Sequence, residues 1–340
     1  MGAPSFAGLE TIWHGSELFE LPGWSVDLSP AELEELERGA VGLRSDVRMD
    51  DAGATIPLSR LTPTLDHVRA HLELGGGVMR MRGMPVTQWG DDMTTRAFWL
   101  LASRLGTPLS QSPAGERLFH VRDRGYAPED PRFRGPASRK RLSFHTDRCD
   151  VIAFACLRQA AHGGDNFIVS SVALYEELRT RNCAVLATLR KPFPYLRHTV
   201  DTANERRFCR LPVFSDYDGH FAGHFLRVLI DRADRDPAAP DLTEAQRHAL
   251  DVLESLAEDP RFNVRLRLEP GDLQLLNNWT TFHRRDAFAD AADPFEGRHL
   301  LRIWLSVPNS RPIDPCFGDH FGATAAGAVR GGMRPAHGRC

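Results

Sequence analysis

Cysteine is scarce in this chain, with six in 340 residues (Cys149, Cys156, Cys183, Cys209, Cys316 and Cys340) and no Cys-x-x-Cys pair. Together with a start that lacks a basic stretch followed by an apolar run, this gives the expectation of reduced thiols in a cytoplasmic setting. Cys156 lies in the apolar run Val151 to Leu157 and reads as core filling. No stretch approaches about 18 consecutive apolar residues, which excludes a transmembrane helix. Neither sign of charge dominates: 42 Lys plus Arg face 45 Asp plus Glu, a net charge of -3. A dedicated nucleic-acid binder is usually strongly basic, so that class is set aside. A disordered chain would have fewer apolar residues than the 42% present. Also missing are a phosphate loop, a Gly-x-Gly-x-x-Gly turn and a Gly-x-Ser-x-Gly elbow, which removes the common nucleotide-binding and serine-hydrolase signatures.

What is present falls into two textures. The first part, about residues 1–140, mixes helix and strand signals. Ser29-Pro30-Ala31-Glu32 is a capping box with proline at the first helical position, and Gly39 is read as the end of that helix. Helices are also expected over Thr64 to Leu74 and Thr94 to Leu105, with an alternating strand at Val78 to Gly83. From about residue 140 to 315, short apolar runs bounded by Gly, Pro and Asp dominate: Val151–Leu157, Phe167–Val169, Val264–Leu268, Leu273–Leu276 and Leu300–Val307. That is the pattern of an all-β sandwich or barrel. Val172 to Arg179 and Thr243 to Ala257 read as helical interruptions. The polar stretch 195–240 reads as an insertion or lid, and the Gly- and Ala-rich tail 321–340 as loosely ordered. No linker is evident, so one unit spanning 1–340 is expected.

Chemistry enters at Phe144-His145-Thr146-Asp147. On an extended segment, residues two apart share a face, so His145 and Asp147 can offer an imidazole and a carboxylate to one metal. Alone the pattern is weak. Fourteen histidines and this acidic content give about two His-x-Asp/Glu by chance. The chain has two, the other being His71-Leu72-Glu73. His67 and His71 have helical spacing but no Glu after the first His, and His220 and His224 lie in the polar insertion. The company of His145 is more telling. Gly271 to His283 reads as a turn, an apolar strand and a histidine at its far end, and Arg302 follows inside the apolar strand Leu300–Val307. A buried guanidinium needs a partner. A small dicarboxylate would supply one. Two histidines and one carboxylate leave positions open on a metal, the pattern of non-haem Fe(II) oxygenases. A zinc hydrolase on the same ligands and a non-catalytic jelly-roll binding protein are the alternatives.

Taken together, Phe144–Asp147, Gly163-Gly164-Asp165-Asn166, Asn277-Asn278 through His283, and Arg298-His299-Leu300-Leu301-Arg302 resemble the TauD/TfdA family, the taurine-dioxygenase and clavaminate-synthase-like oxygenases, over about residues 75–315. The resemblance implies a mainly β fold with flanking helices around a double-stranded β-helix, a jelly-roll, cupin-like core. It implies Fe(II) held by His145, Asp147 and His283, with 2-oxoglutarate and O2 as cosubstrates. Arg302 would clamp the far carboxylate of 2-oxoglutarate, with Arg298 and Asn166 as further contacts; Asn166 stands where the family often has threonine. Phe144 stands where relatives often carry Trp. It and Arg285, in a His-x-Arg pattern, are candidate substrate contacts, with Arg122, Arg124 and Arg141 nearby. The implied reaction converts 2-oxoglutarate to succinate and CO2 while oxidising, most simply hydroxylating, an unactivated C–H of a small polar, amino-acid-like or natural-product substrate. Retention of Asp147 argues against halogenation, since halogenases of this superfamily carry Gly or Ala there. A small molecule is the expected partner, with no nucleic acid and no membrane.

Overall fold

A computed structural model describes residues 12–43, 55–126, 130, 135–197, 206–291, 293 and 296–334. The helix Pro30–Val41 opens on the expected capping box: Ser29 Oγ accepts the Glu32 N–H at 3.3 Å, and the Glu32 carboxylate accepts the Ser29 N–H at 2.8 Å. Gly39 does not end this helix. It lies within it, where a Cβ would sit 2.6 Å from Leu100 Cδ2, so the glycine serves close helix packing. Thr62–Leu74 and Val86–Leu105, the latter broken at Gly90, complete a helical layer. Ser171–Arg181 and Glu244–Glu258 match the two expected interruptions, and Thr243 caps the second.

Among the described residues, two antiparallel-rich sheets form the centre. The larger has seven strands and runs Ser25–Asp27, Val78–Arg82, Leu273–Asn277, Val151–Arg158, His299–Ser306, Thr107–Leu109, with Leu118–Val121 also on His299–Ser306. The smaller pairs Asn263–Leu266, Asn166–Ser170 and Thr281–Arg285. Period-two alternation decides what each large-sheet strand shows to each side. Val151, Ala153, Ala155, Leu301, Ile303 and Leu305 pack under the N-terminal helices. Ile152, Cys156, Leu300 and Trp304 turn inward and meet Ile168 and Val264 of the small sheet. The result is the expected double-stranded β-helix, a jelly roll with flanking helices.

Three further expectations need correcting. His283 does not end the Leu273 strand. That strand stops at Asn277 in the large sheet, the chain turns over Asn278–Thr280, and His283 sits in the following strand of the small sheet. The stretch 195–240 is not simply a polar lid. Outside residues 198–205, which lie beyond the described residues, it contributes Tyr195, Leu211, Phe214, Phe221, Phe225 and Ile230 to a buried cluster with the Ser171–Arg181 and Glu244–Glu258 helices. Arg210, Asp218 and Arg235 face outward between the apolar residues, while Arg197, Ser215, His224 and Asp236 are themselves buried. The tail is not loose as far as residue 334. Arg330 is fully buried, its Nε donating to Asp150 Oδ1 at 2.6 Å, and the Met333 N–H donates to Ser110 O at 2.7 Å. Small residues there permit close passage over the molecule; residues 335–340 lie outside the description.

Candidate active site

Backbone pairing brings the distant histidines together. The His145 N–H donates to His283 O at 2.9 Å, and the His283 N–H donates to His145 O at 3.0 Å. This single bridge lays the His145 segment along the free edge of Thr281–Arg285 and sets the two rings 4.5 Å apart, centroid to centroid. Alternation does the rest. Thr146 turns away, its Oγ1 accepting the Phe225 N–H at 3.1 Å and lying 3.0 Å from His224 Nδ1. Asp147 returns to the side of His145. Its backbone N–H donates to Asn278 Oδ1 at 3.1 Å, which ties it to the corner between the sheets. One ligand atom from each of His145, Asp147 and His283 lies within 4.8 Å of the others.

The electrostatics suit a cation. His145 Nδ1 is 2.8 Å from Ser143 O, a pure acceptor, so this nitrogen carries the proton and Nε2 offers its lone pair. Burial, with His283 adding to it, lowers the His145 pKa to about 4, so the ring is neutral near pH 7. Burial alone would raise the Asp147 carboxyl, but Arg302, His283 and His145 outweigh it and hold it well below the usual carboxylate range. Asp147 Oδ2 is nonetheless buried without a hydrogen-bond partner, 3.5 Å from His283 Nε2. An ionised, unpartnered oxygen beside two imidazoles is a donor set that fits a first-row divalent metal.

Arg302 lies on the inward row of its strand. Across four neighbouring strands Gln274, Phe154, Arg302 and Phe119 stand in register. Its Nη1 is 3.8 Å from Asp147 Oδ1, and its Nε donates to Gln111 Oε1 at 2.8 Å. Gln111, fully buried, returns a bond from Nε2 to the Arg302 carbonyl at 3.1 Å. Sequence reasoning missed Gln111; a lone glutamine before a Gly-containing turn carries no signal. Arg298 is also buried. Its Nε donates to Gln159 Oε1 and its Nη2 to Gly164 O, both at 3.2 Å, while Nη1 is buried without a partner. Asn166 Nδ2 donates to Gln274 Oε1. Arg285 donates to the backbone carbonyls of Ser138 at 2.8 Å and of Lys140, which pins the 135–140 segment. Phe144 is a core side chain, 2% exposed, with the Arg284 guanidinium 5.2 Å from its ring centre.

These groups face one cavity of about 1250 Å³, whose lining includes His145, Asp147, His283, Asn166, Arg298 and Arg302. His145 and Asp147 keep partial exposure because they open onto it. The second His-x-acid pair does not join them: Glu73 accepts from Arg311 Nε at 2.7 Å, in a buried ion pair elsewhere. Arg141 reaches the cavity but pairs with Glu258, whereas Arg122 and Arg124 do not line it.

A jelly roll with a buried two-histidine, one-carboxylate cluster and arginines in the same cavity defines the class of mononuclear non-haem metal oxygenases. The family profile for taurine catabolism dioxygenase TauD, TfdA family, matches residues 43–304, and the chain belongs to that family. It is thus a non-haem Fe(II)- and 2-oxoglutarate-dependent dioxygenase, which displaces the zinc-hydrolase and inert-scaffold alternatives. It is 27% identical to FR-33289 synthase of Streptomyces rubellomurinus over 329 residues, covering 93% of this chain and 95% of that one. It is 26% identical to the taurine hydroxylase-like protein SAT17 of Stachybotrys chartarum, covering 86% and 78%. The fold resembles asparagine oxygenase in complex with Fe(II), hydroxyasparagine and succinate, with a TM-score of 0.64 at 21% identity over 83% of this chain and 93% of that one. It also resembles the non-haem iron oxygenase OrfP in complex with iron and alpha-ketoglutaric acid, at 0.62 and 17% over the same shares. Among the described residues no helix is long and apolar enough to cross a membrane.

Proposed function

We propose that the chain works as one oxygenase unit that oxidises a C–H bond of a small, polar, anionic or amino-acid-like molecule, with iron held by His145, Asp147 and His283. When bound, iron and 2-oxoglutarate supply the coupling of cosubstrate decarboxylation, to succinate and CO2, with C–H oxidation by O2. The chain's own residues bind and orient. His145 presents Nε2 because Ser143 O holds the Nδ1 proton. Asp147 presents a charged oxygen, kept ionised beside Arg302 despite its burial. Asn278 and the His145–His283 backbone pair fix the distances.

The sequence expectation gives the far carboxylate of 2-oxoglutarate to Arg302. The geometry favours Arg298. Arg302 reaches to 3.8 Å from an Asp147 oxygen, beside the metal ligands themselves. The far carboxylate of a five-carbon diacid sits several ångströms from its chelating end. Arg298 lies four residues earlier, roughly 13 Å along an extended strand, and keeps a buried Nη1 unpartnered. Asn166 lines the same wall. Arg302 then faces the reacting end and the substrate.

Two features support an anionic or amino-acid-like substrate. Among the described residues Arg285 lines the cavity and has no carboxylate within ion-pair distance, although it is buried. Relatives of this fold are seen with amino acids: asparagine oxygenase with hydroxyasparagine and OrfP with hydroxyarginine. The expected setting remains cytoplasmic, consistent with free Cys149, Cys156 and Cys209.

The observation that carries this reading is the buried, unpartnered Asp147 Oδ2 clustered with the His145 and His283 imidazoles. Anaerobic Fe(II) plus 2-oxoglutarate should give a weak visible charge-transfer band. Asp147→Ala should abolish the band and succinate release while the far-ultraviolet circular dichroism is kept. Succinate release across a panel of amino acids and small sulfonates, phosphonates and carboxylates then identifies the substrate class. A band of undiminished strength in Asp147→Ala would remove the ligand assignment.

A further inference from the structure

The turn that carries Asp147 is held from one side by the far end of the chain. Cys149 N–H donates to Asp147 O at 3.0 Å, so residues 147–150 form a tight unit. Asp150 anchors it: Oδ1 accepts from Trp279 Nε1 at 2.9 Å and from Arg330 Nε at 2.6 Å, and Oδ2 accepts the Val307 N–H at 3.1 Å. Beyond Arg330, the Gly332 N–H donates to Arg148 O at 2.7 Å, one residue from Asp147. Gly331 has φ of +87°, and a Cβ there would lie 2.5 Å from Arg148 O and 3.1 Å from Arg148 C. Met333, the last apolar residue of the segment, lines the cavity and donates its N–H to Ser110 O.

We infer that residues 330–333 are a working part of the active site: this strap holds the Asp147 turn where its carboxylate meets His145 and His283, and Met333 forms part of the cavity wall. The inference rests on the ligand assignment made under Proposed function. Arg330, Gly331 and Gly332 do not line the cavity. They are positioning residues that act through Asp150 and the Arg148 carbonyl. Groups that orient a metal ligand typically matter about tenfold to a hundredfold in metal affinity.

The test is Fe(II) affinity of the full-length apo-protein, measured anaerobically by equilibrium dialysis alongside its thermal midpoint. Gly331→Ala adds one methyl against the Arg148 carbonyl and leaves the Arg330–Asp150 pair in place. Its Fe(II) affinity should fall about tenfold or more at a temperature where the apo-protein is fully folded. A chain ended after Arg330 should lose affinity likewise, and it decides the matter if Gly331→Ala does not fold. Val329→Ala, at an outward-facing tail position 61% exposed, should bind as the parent does. If Gly331→Ala or the shortened chain binds Fe(II) as tightly as the parent while Asp147→Ala does not, the strap has no such role and the ligand assignment stands. If Asp147→Ala itself binds normally, the ligand assignment fails and takes this inference with it.

Discussion

Arg298 and Arg302 stand four residues apart near and on one strand, yet their surroundings give them different duties. Arg302 is stacked between Phe119 and Trp304, at 5.5 and 5.0 Å from the ring centres, and engaged by Gln111. The Arg298 guanidinium donates only to neutral groups, Gln159 Oε1 and Gly164 O, and burial lowers its pKa to about 10, which leaves it charged at pH 7. Removing a charge-assisted pair costs about 1.5–3 kcal/mol, or roughly tenfold to a hundredfold in binding. Arg298→Gln should therefore raise the KM for 2-oxoglutarate by about that factor, with a smaller change in kcat. Arg302→Leu should act mainly on the primary substrate and on kcat. Steady-state kinetics in 2-oxoglutarate check this, and a larger KM effect in Arg302→Leu returns the clamp to that residue. The burial of Arg302 was legible, because a guanidinium in an apolar strand stands out against the hydrophobic pattern. Which anion it serves was not, because that depends on Asp147 and Gln111, which come from other parts of the chain.

At the scale of elements, the Gly163-Gly164-Asp165-Asn166 segment couples chain geometry to the cavity wall that carries Arg298. Asp165, 1% exposed, is paired with Arg265 and Arg267 and fixes the start of the small sheet's central strand. Gly164 has φ of +76°, and a Cβ there would come within 2.9 Å of Arg298 Nε. Gly164→Ala should thus strain the turn and displace Arg298. We expect a raised KM for 2-oxoglutarate, a thermal midpoint lower by about 1–2 °C for each kcal/mol of strain, and Fe(II) affinity close to the parent's. An unchanged KM would mean that the guanidinium reaches its ligand from elsewhere. Most elements were legible, since the 3.6- and 2-residue periods and the Ser29 and Thr243 caps are local signals. The corner at Asn278–Thr280 was not. No glycine or proline interrupts the stretch from Leu273 to Arg285, and only pairing with different sheets separates the two strands.

For the whole molecule, buried neutral histidines set an acid limit. Burial, reinforced by nearby cations, pulls His224 down to about 3 and His320 well below its ordinary value; burial with His120 and Arg122 pulls His299 to about 4. In the unfolded chain histidine titrates near pH 6.5. Between these values the unfolded state binds more protons than the native one, so stability is present above about pH 6.5 and declines as pH falls, by about 1.4 kcal/mol per pH unit for each such ring. The thermal midpoint should be level above pH 7 and drop steeply between pH 6 and 4. A flat profile there would mean that these rings are protonated in the folded protein. Long-range packing was the least legible scale. The composition of 321–334 suggested looseness, because Gly and Ala carry no apolar payload, yet the same smallness lets that strand of chain lie against Arg148 and bring Arg330 to Asp150.

The reciprocal bond between positions 145 and 283 has a consequence for biosynthesis. A nascent polypeptide leaves the ribosome from its N-terminus, and here the first two metal-binding side chains emerge well over a hundred residues before the third. No local hairpin can substitute, because the partners belong to different strands whose pairing requires the closed barrel. The iron pocket therefore cannot assemble until the chain has grown past position 283, and loading of the metal follows that closure.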